Sequence, residues 1–368
     1  MAHPHGTHPH GHGAPQTAGK NNTLRLVAWE TTRRCNLTCK HCRAAAEDHV
    51  YEDELTTEES FRLLDQIREV GQPIIILTGG EPLLRDDIFD IAAYGDKIGL
   101  RMVMAPNGTL LNEDNVARLM ESGIKRISVS LDGATAASHD AFRGLDGAFD
   151  GAVNGIRIAK AAGLEFQINT VITKTNLDEI PDILALAESL GAVAHHIFLL
   201  VPTGRGKYIV DTAIDAKEYE ETLNWFYDQR DKTSLQLKAT CAPHYYRILR
   251  QRAKAEGKKV SFETHGLDAV TRGCLAGTGF CFISHVGRVQ TCGFLDVTCG
   301  NIKSRHFKDV WENSEVFNKL RDFNNLEPKC GICEYKQVCG GCRARAYEAT
   351  GNYLAEEPLC TYQPARQK

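Results

Sequence analysis

The segment TTRRCNLTCKHC, residues 31–42, places three cysteines within eight positions: Cys35, Cys39 and Cys42. It follows the apolar run LRLVAWE, residues 24–30, which is typical of a buried strand. Three thiolates from one loop can bind three irons of a cubane cluster and leave the fourth iron open. The alternative is a structural zinc site completed by His41 or His49, but such sites usually take spaced ligand pairs from two arms. The segment therefore predicts an iron-sulfur centre with one open position.

Strand-like and helix-like runs alternate between residues 24 and 235, in six successive pairs. One example is PIIILTGG followed by DDIFDIAAYGDKIG, and Thr56 and Glu59 fit a capping box before another helical run. Apolar strands separated by amphipathic helices predict an α/β fold, a partial (β/α)6 barrel with a parallel sheet. Ligands of such folds bind at the carboxyl ends of the strands. Polar residues follow the predicted strands there: the cysteine loop, the GGEP sequence of residues 79–82, Asn107, Ser130 and Asp132.

The alternation stops after residue 235, and the remaining chain is rich in cysteine. We predict a connecting region over residues 236–272 and a small metal-held domain over 273–368, with a hairpin in CFISHVGRVQTCGF and a helix in FKDVWENSEVFNKLRDF. Residues 1–23 have no apolar periodicity and are predicted to be a disordered tail. The tail could bind a metal loosely through its histidines: His3, His5, His8, His10 and His12.

Composition narrows the class of protein. The formal net charge of −4 argues against a nucleic-acid binder, which usually carries a basic face. The sequence shows no signal peptide and no apolar run near the about 18 residues of a membrane span, so we expect a cytoplasmic protein that binds no membrane. Thirteen cysteines in a reducing compartment favour metal ligation over disulfides.

The Cys-x3-Cys-x2-Cys loop after the first strand, with GGEP after the second, resembles the radical S-adenosylmethionine (SAM) superfamily. The resemblance implies a [4Fe-4S] cluster whose open iron is chelated by SAM, and a low-potential electron donor. It implies that Gly79, Gly80 and Glu81 meet the methionine amino group, since glycines allow close backbone approach and a carboxylate pairs with an ammonium. The other cofactor-binding positions that it implies are Asn107, Ser130 and Arg143, Asn169 for the ribose, and the backbone of His41 and Leu200 for the adenine.

The later cysteines resemble the SPASM extension of this superfamily, which implies two auxiliary [4Fe-4S] clusters. The predicted ligands of one cluster are Cys274, Cys281, Cys292 and Cys342, and those of the other are Cys330, Cys333, Cys339 and Cys360. The chain departs from many members in the last short spacing, with two residues between Cys339 and Cys342 instead of three. Cys241 and Cys299 remain and are interpreted as buried apolar residues, although Cys299 could replace Cys281. Zinc ribbons would also explain paired cysteines, since thiolates bind both metals.

Longer segments, among them ATCAPHYYRI and GTGFCFISHVG, resemble the radical SAM/SPASM heme synthases of the siroheme-dependent pathway. This likeness implies oxidative decarboxylation of two propionates of Fe-coproporphyrin III to vinyl groups, giving heme b. A substrate with four carboxylates needs cations, and the candidates are Arg205, Lys207, Lys238, Arg247, Arg250 and Arg272. His244 could approach the substrate iron, and Tyr246 or Tyr245 could stack on the macrocycle.

Three alternatives remain open at this point. The chain could be another tetrapyrrole-modifying enzyme that trims siroheme-type side chains or makes heme d1. It could be a peptide-modifying SPASM maturase, although we expect residues 1–23 to be too short for a peptide-docking module. It could also be an iron-sulfur electron carrier or a zinc-stabilised binding protein, but neither has a use for an open-iron cysteine loop beside a SAM-like glycine-glutamate sequence.

Overall fold

A computed structural model describes residues 22–365, and its central feature is a ten-stranded sheet. The predicted histidine-rich tail lies almost wholly outside the described residues. The strands are β1 Leu26–Thr32, β2 Ile74–Gly79, β3 Arg101–Met104, β4 Ile127–Ser130, β5 Phe166–Ile172, β6 Ala194–Leu199, β7 Gln236–Thr240, β8 Phe280–Ile283, β9 Arg288–Cys292 and β10 Leu295–Asn301. Their order in the sheet is β10-β9-β8-β1-β2-β3-β4-β5-β6-β7, so the sheet is open, with β10 and β7 at its edges.

Strands β1 to β7 are parallel, which confirms the predicted α/β partial barrel. The seventh strand, β7, lies within the range predicted as a connecting region. The helices are α1 Thr57–Val70, α2 Ile88–Lys97, α3 Glu113–Glu121, α4 Ala136–Arg143, α5 Ala148–Ala162, α6 Ile180–Leu190, α7 Ala216–Gln229, α8 His244–Ala255, α9 Phe262–His265, α10 Leu267–Val270, α11 Phe307–Asn313, α12 Glu315–Arg321, α13 Pro328–Ile332 and α14 Arg343–Thr350. Short 3-10 turns occupy Pro82–Leu84, Leu177–Glu179, Gly204–Thr212 and Phe323–Asn325.

Local sequence signals explain where several elements begin and end. Helix α1 begins with the predicted capping box, in which Thr56 and Glu59 satisfy each other's backbone N–H groups. The single helix predicted over residues 307–323 is two helices, because Ser314 takes an extended backbone conformation between α11 and α12. None of the helices in the described part of the chain is long and apolar enough to cross a membrane.

The main hydrophobic core lies between the sheet and its helices. Val27 and Trp29 of β1 and Ile168 of β5 belong to this core. Complete burial of an aliphatic side chain contributes about 1.5–3 kcal/mol. Because side chains alternate along a strand, Asn169 faces the opposite side of the sheet from Ile168. The sheet therefore keeps one face for packing and another for polar residues.

The cysteine-rich domain joins the barrel sheet directly. Strand β8 pairs in parallel with β1, and β8 and β9 form the predicted antiparallel hairpin. The two parts of the chain thus share one sheet, and the thiols of both parts can lie near the same edge.

Candidate metal centre and cofactor site

The first three cysteines lie in the loop between β1 and α1, where Cys35 and Cys39 are buried and Cys42 packs against them. Backbone N–H groups point at two of the sulfur atoms: Leu37 N lies 3.4 Å from Cys35 Sγ, and Ala46 N lies 3.5 Å from Cys42 Sγ. Burial raises the pKa of Cys35 to about 12. A bound metal offsets that effect, because a coordinating thiol is deprotonated outright. The donor set therefore suits a metal cluster.

Arg205 fixes the shape of this loop. Its guanidinium donates to the carbonyl of Cys39 (2.8 Å) and to that of Ala46 (2.8 Å), and its backbone N–H donates to Cys42 O (2.9 Å). The preceding Gly204 has a φ of +54° and lies so close to the backbone of residues 42–43 that a side chain would collide with it. Arg205 was predicted to bind substrate carboxylates, but in the structure its donors are directed at the cysteine loop.

The GGEP sequence lies beside the cysteine loop, because Gly79 is in register with Thr32 at the end of β1. Gly80 N donates to Thr32 O (2.8 Å), and a Cβ on Gly80 would collide with the carbonyls of Arg33 and Arg34. Only glycine allows this approach of two backbones.

Glu81 is completely buried, and its carboxylate accepts from Leu83 N (3.0 Å) and Asn107 N (2.6 Å). Asn107 Nδ2 donates in turn to Asn36 Oδ1 (2.8 Å), between the first two cysteines. Burial raises the pKa of Glu81 to about 7, although the two backbone N–H groups oppose the shift. The structure thus places Glu81 and Asn107 against the cysteine loop.

We expect SAM to bind more tightly as the pH rises through the pKa of Glu81, which is about 7. The resemblance to radical SAM proteins implies that the ionised carboxylate pairs with the SAM ammonium, and the ionised fraction grows about tenfold between about pH 6 and about pH 8. Isothermal titration of cluster-loaded protein with SAM should show an affinity that rises by a similar factor. Glu81→Gln cannot ionise, so its weaker binding should not follow this slope. The same slope in both proteins would rule out Glu81 as the titrating group.

Arg143 and Asp132 form a buried ion pair on the other side of the loop, with 2.5 Å between Arg143 Nη2 and Asp132 Oδ2. Arg143 Nη1 also lies 3.7 Å from Cys39 Sγ. The His41 ring stacks on Phe142 at 4.5 Å, and burial lowers the pKa of His41 to about 4. Asp132 was noted at a strand end but not predicted as a site residue. Its position just after β4, at the carboxyl edge of the sheet, was the sequence signal that could have identified it as a site residue.

The other predicted SAM positions follow the strand ends of the second half of the barrel. Ser130 of β4 pairs with Asn169 of β5, and Leu200 comes directly after β6. The Leu200 carbonyl accepts from Arg345 Nη2 at 3.5 Å, which connects this edge to the C-terminal domain. These positions lie on or directly after neighbouring strands, and their contact with SAM stays a prediction.

A second group of thiols lines a cavity in the C-terminal domain. Backbone N–H groups point at two of its sulfur atoms, from Tyr335 to Cys333 and from Gly341 to Cys339. The cavity is lined by the four cysteines predicted for one auxiliary cluster: Cys330, Cys333, Cys339 and Cys360. Its lining of four thiols fits an iron-sulfur cluster.

Four of the residues predicted to contact the porphyrin belong to helix α8, where two line the cavity of the second thiol group and two lie in the core. His244 lines the cavity of the second thiol group and is completely buried, and among residues 22–365 neither of its ring nitrogens has a hydrogen-bond partner. Arg247 lines the same cavity, and its guanidinium binds both oxygens of Glu220 (2.8 and 2.5 Å). Tyr246 and Tyr245 are core residues of α8, and burial raises the pKa of each hydroxyl. Helix α8 thus turns these side chains towards the auxiliary centre and the core.

A third group of thiols differs from the prediction. Cys274, Cys292 and Cys342 belong to one packed cluster, and the fourth cysteine in that cluster is Cys241. Cys281 is a fully buried residue of β8 in the main core, with Cys299 as its neighbouring thiol. Parallel pairing of β8 with β1 points the Cys281 side chain into that core, away from the other three ligands.

No three His, Cys, Asp or Glu side chains among residues 22–365 lie close enough together to hold a single metal ion. Thiolates on a cubane bind different irons and stand further apart than the ligands of one tetrahedral zinc. The absence of such a single-ion site among these residues does not bear on cluster binding.

Comparisons with known proteins agree with this arrangement. The model of the radical SAM superfamily matches residues 29–187, and that of SPASM, an iron-sulfur cluster-binding domain, matches residues 274–343. The AdoMet-dependent heme synthase of Nitratidesulfovibrio vulgaris is 55% identical over 98% of both chains. That of Methanosarcina barkeri is 54% identical over 94% of this chain and 99% of its own. The fold resembles Streptococcus suis SuiB bound to S-adenosylmethionine, with a TM-score of 0.73, 17% identity, and coverage of 92% of this chain and 78% of that one.

The predicted enzyme class and cofactors are confirmed: a [4Fe-4S] cluster with SAM, and auxiliary clusters in the C-terminal domain. The chain therefore belongs to the radical SAM superfamily and, within it, to the family of AdoMet-dependent heme synthases.

Proposed function

We propose that this enzyme converts two propionates of Fe-coproporphyrin III to vinyl groups and so produces heme b. Relatives named AdoMet-dependent heme synthase, similar over nearly the whole chain, support heme as the product. When bound, the cofactors supply hydrogen-atom removal by a 5'-deoxyadenosyl radical, and the auxiliary clusters accept the electron left when the carbon–carboxylate bond breaks. Each propionate would lose one hydrogen atom, carbon dioxide and one electron, while an external low-potential donor supplies the electron used to cleave SAM.

The observation that carries the proposal is a polar row on the inner face of the barrel. Asn169, His196 and Lys238 lie in register across β5, β6 and β7. The alternate residues of these strands pack in the hydrophobic core, so the row faces away from the helices. His196 Nδ1 is 2.9 Å from Gln167 Nε2, and burial lowers the pKa of His196 to about 3, which keeps the ring neutral.

Lys238 is the cation of this row. Within the part of the chain that the structure describes, Lys238 Nζ has no hydrogen bond and no ion pair, and Asp268 is its acidic electrostatic neighbour. Burial lowers the pKa of Lys238, which a substrate carboxylate would offset. Two strand spacings separate it from Asn169, roughly 10 Å. A propionate held by Lys238 would therefore keep the macrocycle near the expected ribose position.

Anaerobic incubation of the reduced, cluster-loaded enzyme with SAM and Fe-coproporphyrin III tests the proposal. Mass spectrometry should find a product lighter by two formic-acid equivalents, with deoxyadenosine formed alongside it. Lys238→Gln should raise the KM for the porphyrin by about 10- to 100-fold, because a charge-assisted hydrogen bond contributes about 1.5–3 kcal/mol.

Lys254→Gln is the matched control, since Lys254 is an exposed residue of α8. Its KM should equal that of the unmodified enzyme. Deoxyadenosine without any change in the porphyrin would contradict the proposed substrate and favour another tetrapyrrole or a peptide.

A further inference from the structure

Three of the four ligands expected for one auxiliary cluster lie together, and Cys281 is not with them. Cys274, Cys292 and Cys342 are mutual electrostatic neighbours, whereas the neighbouring thiol of Cys281 is Cys299. Cys299 Sγ lies 3.7 Å from the Val297 carbonyl oxygen. Cys281 and Cys299 are therefore a buried core pair.

Cys241 lies beside Cys274, Cys292 and Cys342, at the position where Cys281 was expected. It packs with the three other cysteines in one small cluster, and its charged neighbours include Cys342, Cys292 and Cys274. It comes directly after β7, at the carboxyl edge of the sheet where the first cysteine loop also lies.

Cys241 has a left-handed backbone conformation, which is strained for a residue other than glycine. Its φ is +54°, and the other non-glycine residue with positive φ in the described chain is Ala45, in the first cysteine loop. This conformation is unfavourable for a residue with a Cβ. Two donors hold the Cys241 carbonyl: Arg345 Nη2 at 2.9 Å and Tyr219 Oη at 3.2 Å. Glycine would adopt this backbone without strain, so the strain indicates a use for the thiol.

We propose that Cys241 is the fourth protein ligand of the auxiliary iron-sulfur cluster that Cys274, Cys292 and Cys342 bind, in place of Cys281. The ligand set then spans two parts of the chain, because Cys241 belongs to the barrel sheet and the other three to the cysteine-rich domain. The cluster would link these parts at the edge where SAM is expected. A complete set of four thiolates also leaves no iron open for substrate.

The test uses the full chain with the first three cysteines replaced by alanine, so that the auxiliary clusters alone contribute iron. Cys241→Ser and Cys281→Ser are then compared after anaerobic reconstitution, by iron analysis and electron paramagnetic resonance. We expect about eight irons per chain in the background protein and in Cys281→Ser. Cys241→Ser should lose about four irons or convert one cluster to a three-iron form. Full iron with unchanged spectra in Cys241→Ser, or these losses in Cys281→Ser, would overturn the proposal.

Alkylation of the unmodified protein makes the test independent of how well the variants fold. The Cys241 residue is partly exposed, but burial raises the pKa of its thiol, so alkylation with iodoacetamide is carried out at alkaline pH over hours; it should label Cys241 in the apoprotein and not in the reconstituted protein. Equal labelling of Cys241 in both forms would refute the proposed ligation. Neither measurement depends on the porphyrin, so a failure here is distinct from a failure of the proposed reaction.

Discussion

Replacement of Cys39 by alanine is expected to remove the first cluster, with about four irons lost per chain, and to reduce SAM cleavage to an undetectable level. Cys39 lies in the centre of the three-thiol loop and touches Arg143, which is paired with buried Asp132. A cluster held by two of its three thiolates would lose the geometry that leaves one iron open. Deoxyadenosine formation with dithionite as reductant measures the effect.

Cys299→Ala is the matched control for this prediction. Cys299 is also a buried cysteine, but it lies in the main core beside Cys281 and outside the three thiol groups. This variant should retain full iron content and SAM cleavage. Cleavage by Cys39→Ala at the rate of the control would show that the loop does not hold the catalytic cluster.

The fold was predictable because its signals are local. Each strand and helix carries its own periodicity, and the capping box at Thr56 and Glu59 marks the start of α1 in the sequence. The first cysteine loop is compact in sequence, so its spacing suggested the grouping of its three thiols, whereas the resemblance to SPASM domains implied the grouping of Cys330, Cys333, Cys339 and Cys360. The parallel pairing of β8 with β1 depends on tertiary packing, and no short pattern encodes it.

Site residues that depend on a partner far along the chain could not be assigned. Cys281 fitted the expected spacing, but the strand pairing directs it into the core. Arg205 and Arg247 were suitable cations for a carboxylate, but most of their donors bind the cysteine loop and Glu220, respectively. A sequence shows the type of a side chain, whereas its availability depends on the neighbours that folding brings to it.

Replacement of Arg345 by methionine is expected to destabilise the protein by about 3–5 kcal/mol, because it leaves the buried Glu357 charge unpaired. The two side chains are 5% and 1% exposed, and Arg345 Nη1 lies 3.0 Å from Glu357 Oε1. Glu357 Oε2 also accepts from the backbone N–H of Cys342, and Arg345 holds the carbonyl of Cys241. Chemical denaturation under anaerobic conditions should show the loss of stability.

A second substitution separates the charge effect from lost packing. In Arg345→Met/Glu357→Gln neither charge of this pair remains, and the amide oxygen can still accept from the backbone N–H of Cys342, so the double variant should be more stable than Arg345→Met. Lys319→Met breaks a solvent-exposed pair with Glu315 and should leave the unfolding free energy nearly unchanged. If Arg345→Met behaves like this surface control, the pair does not stabilise the domain. A double variant less stable than Arg345→Met would show that the unpaired charge does not cause the loss of stability. The loss would then come from packing of the Arg345 side chain against Tyr219, because its guanidinium lies 5.2 Å from that ring.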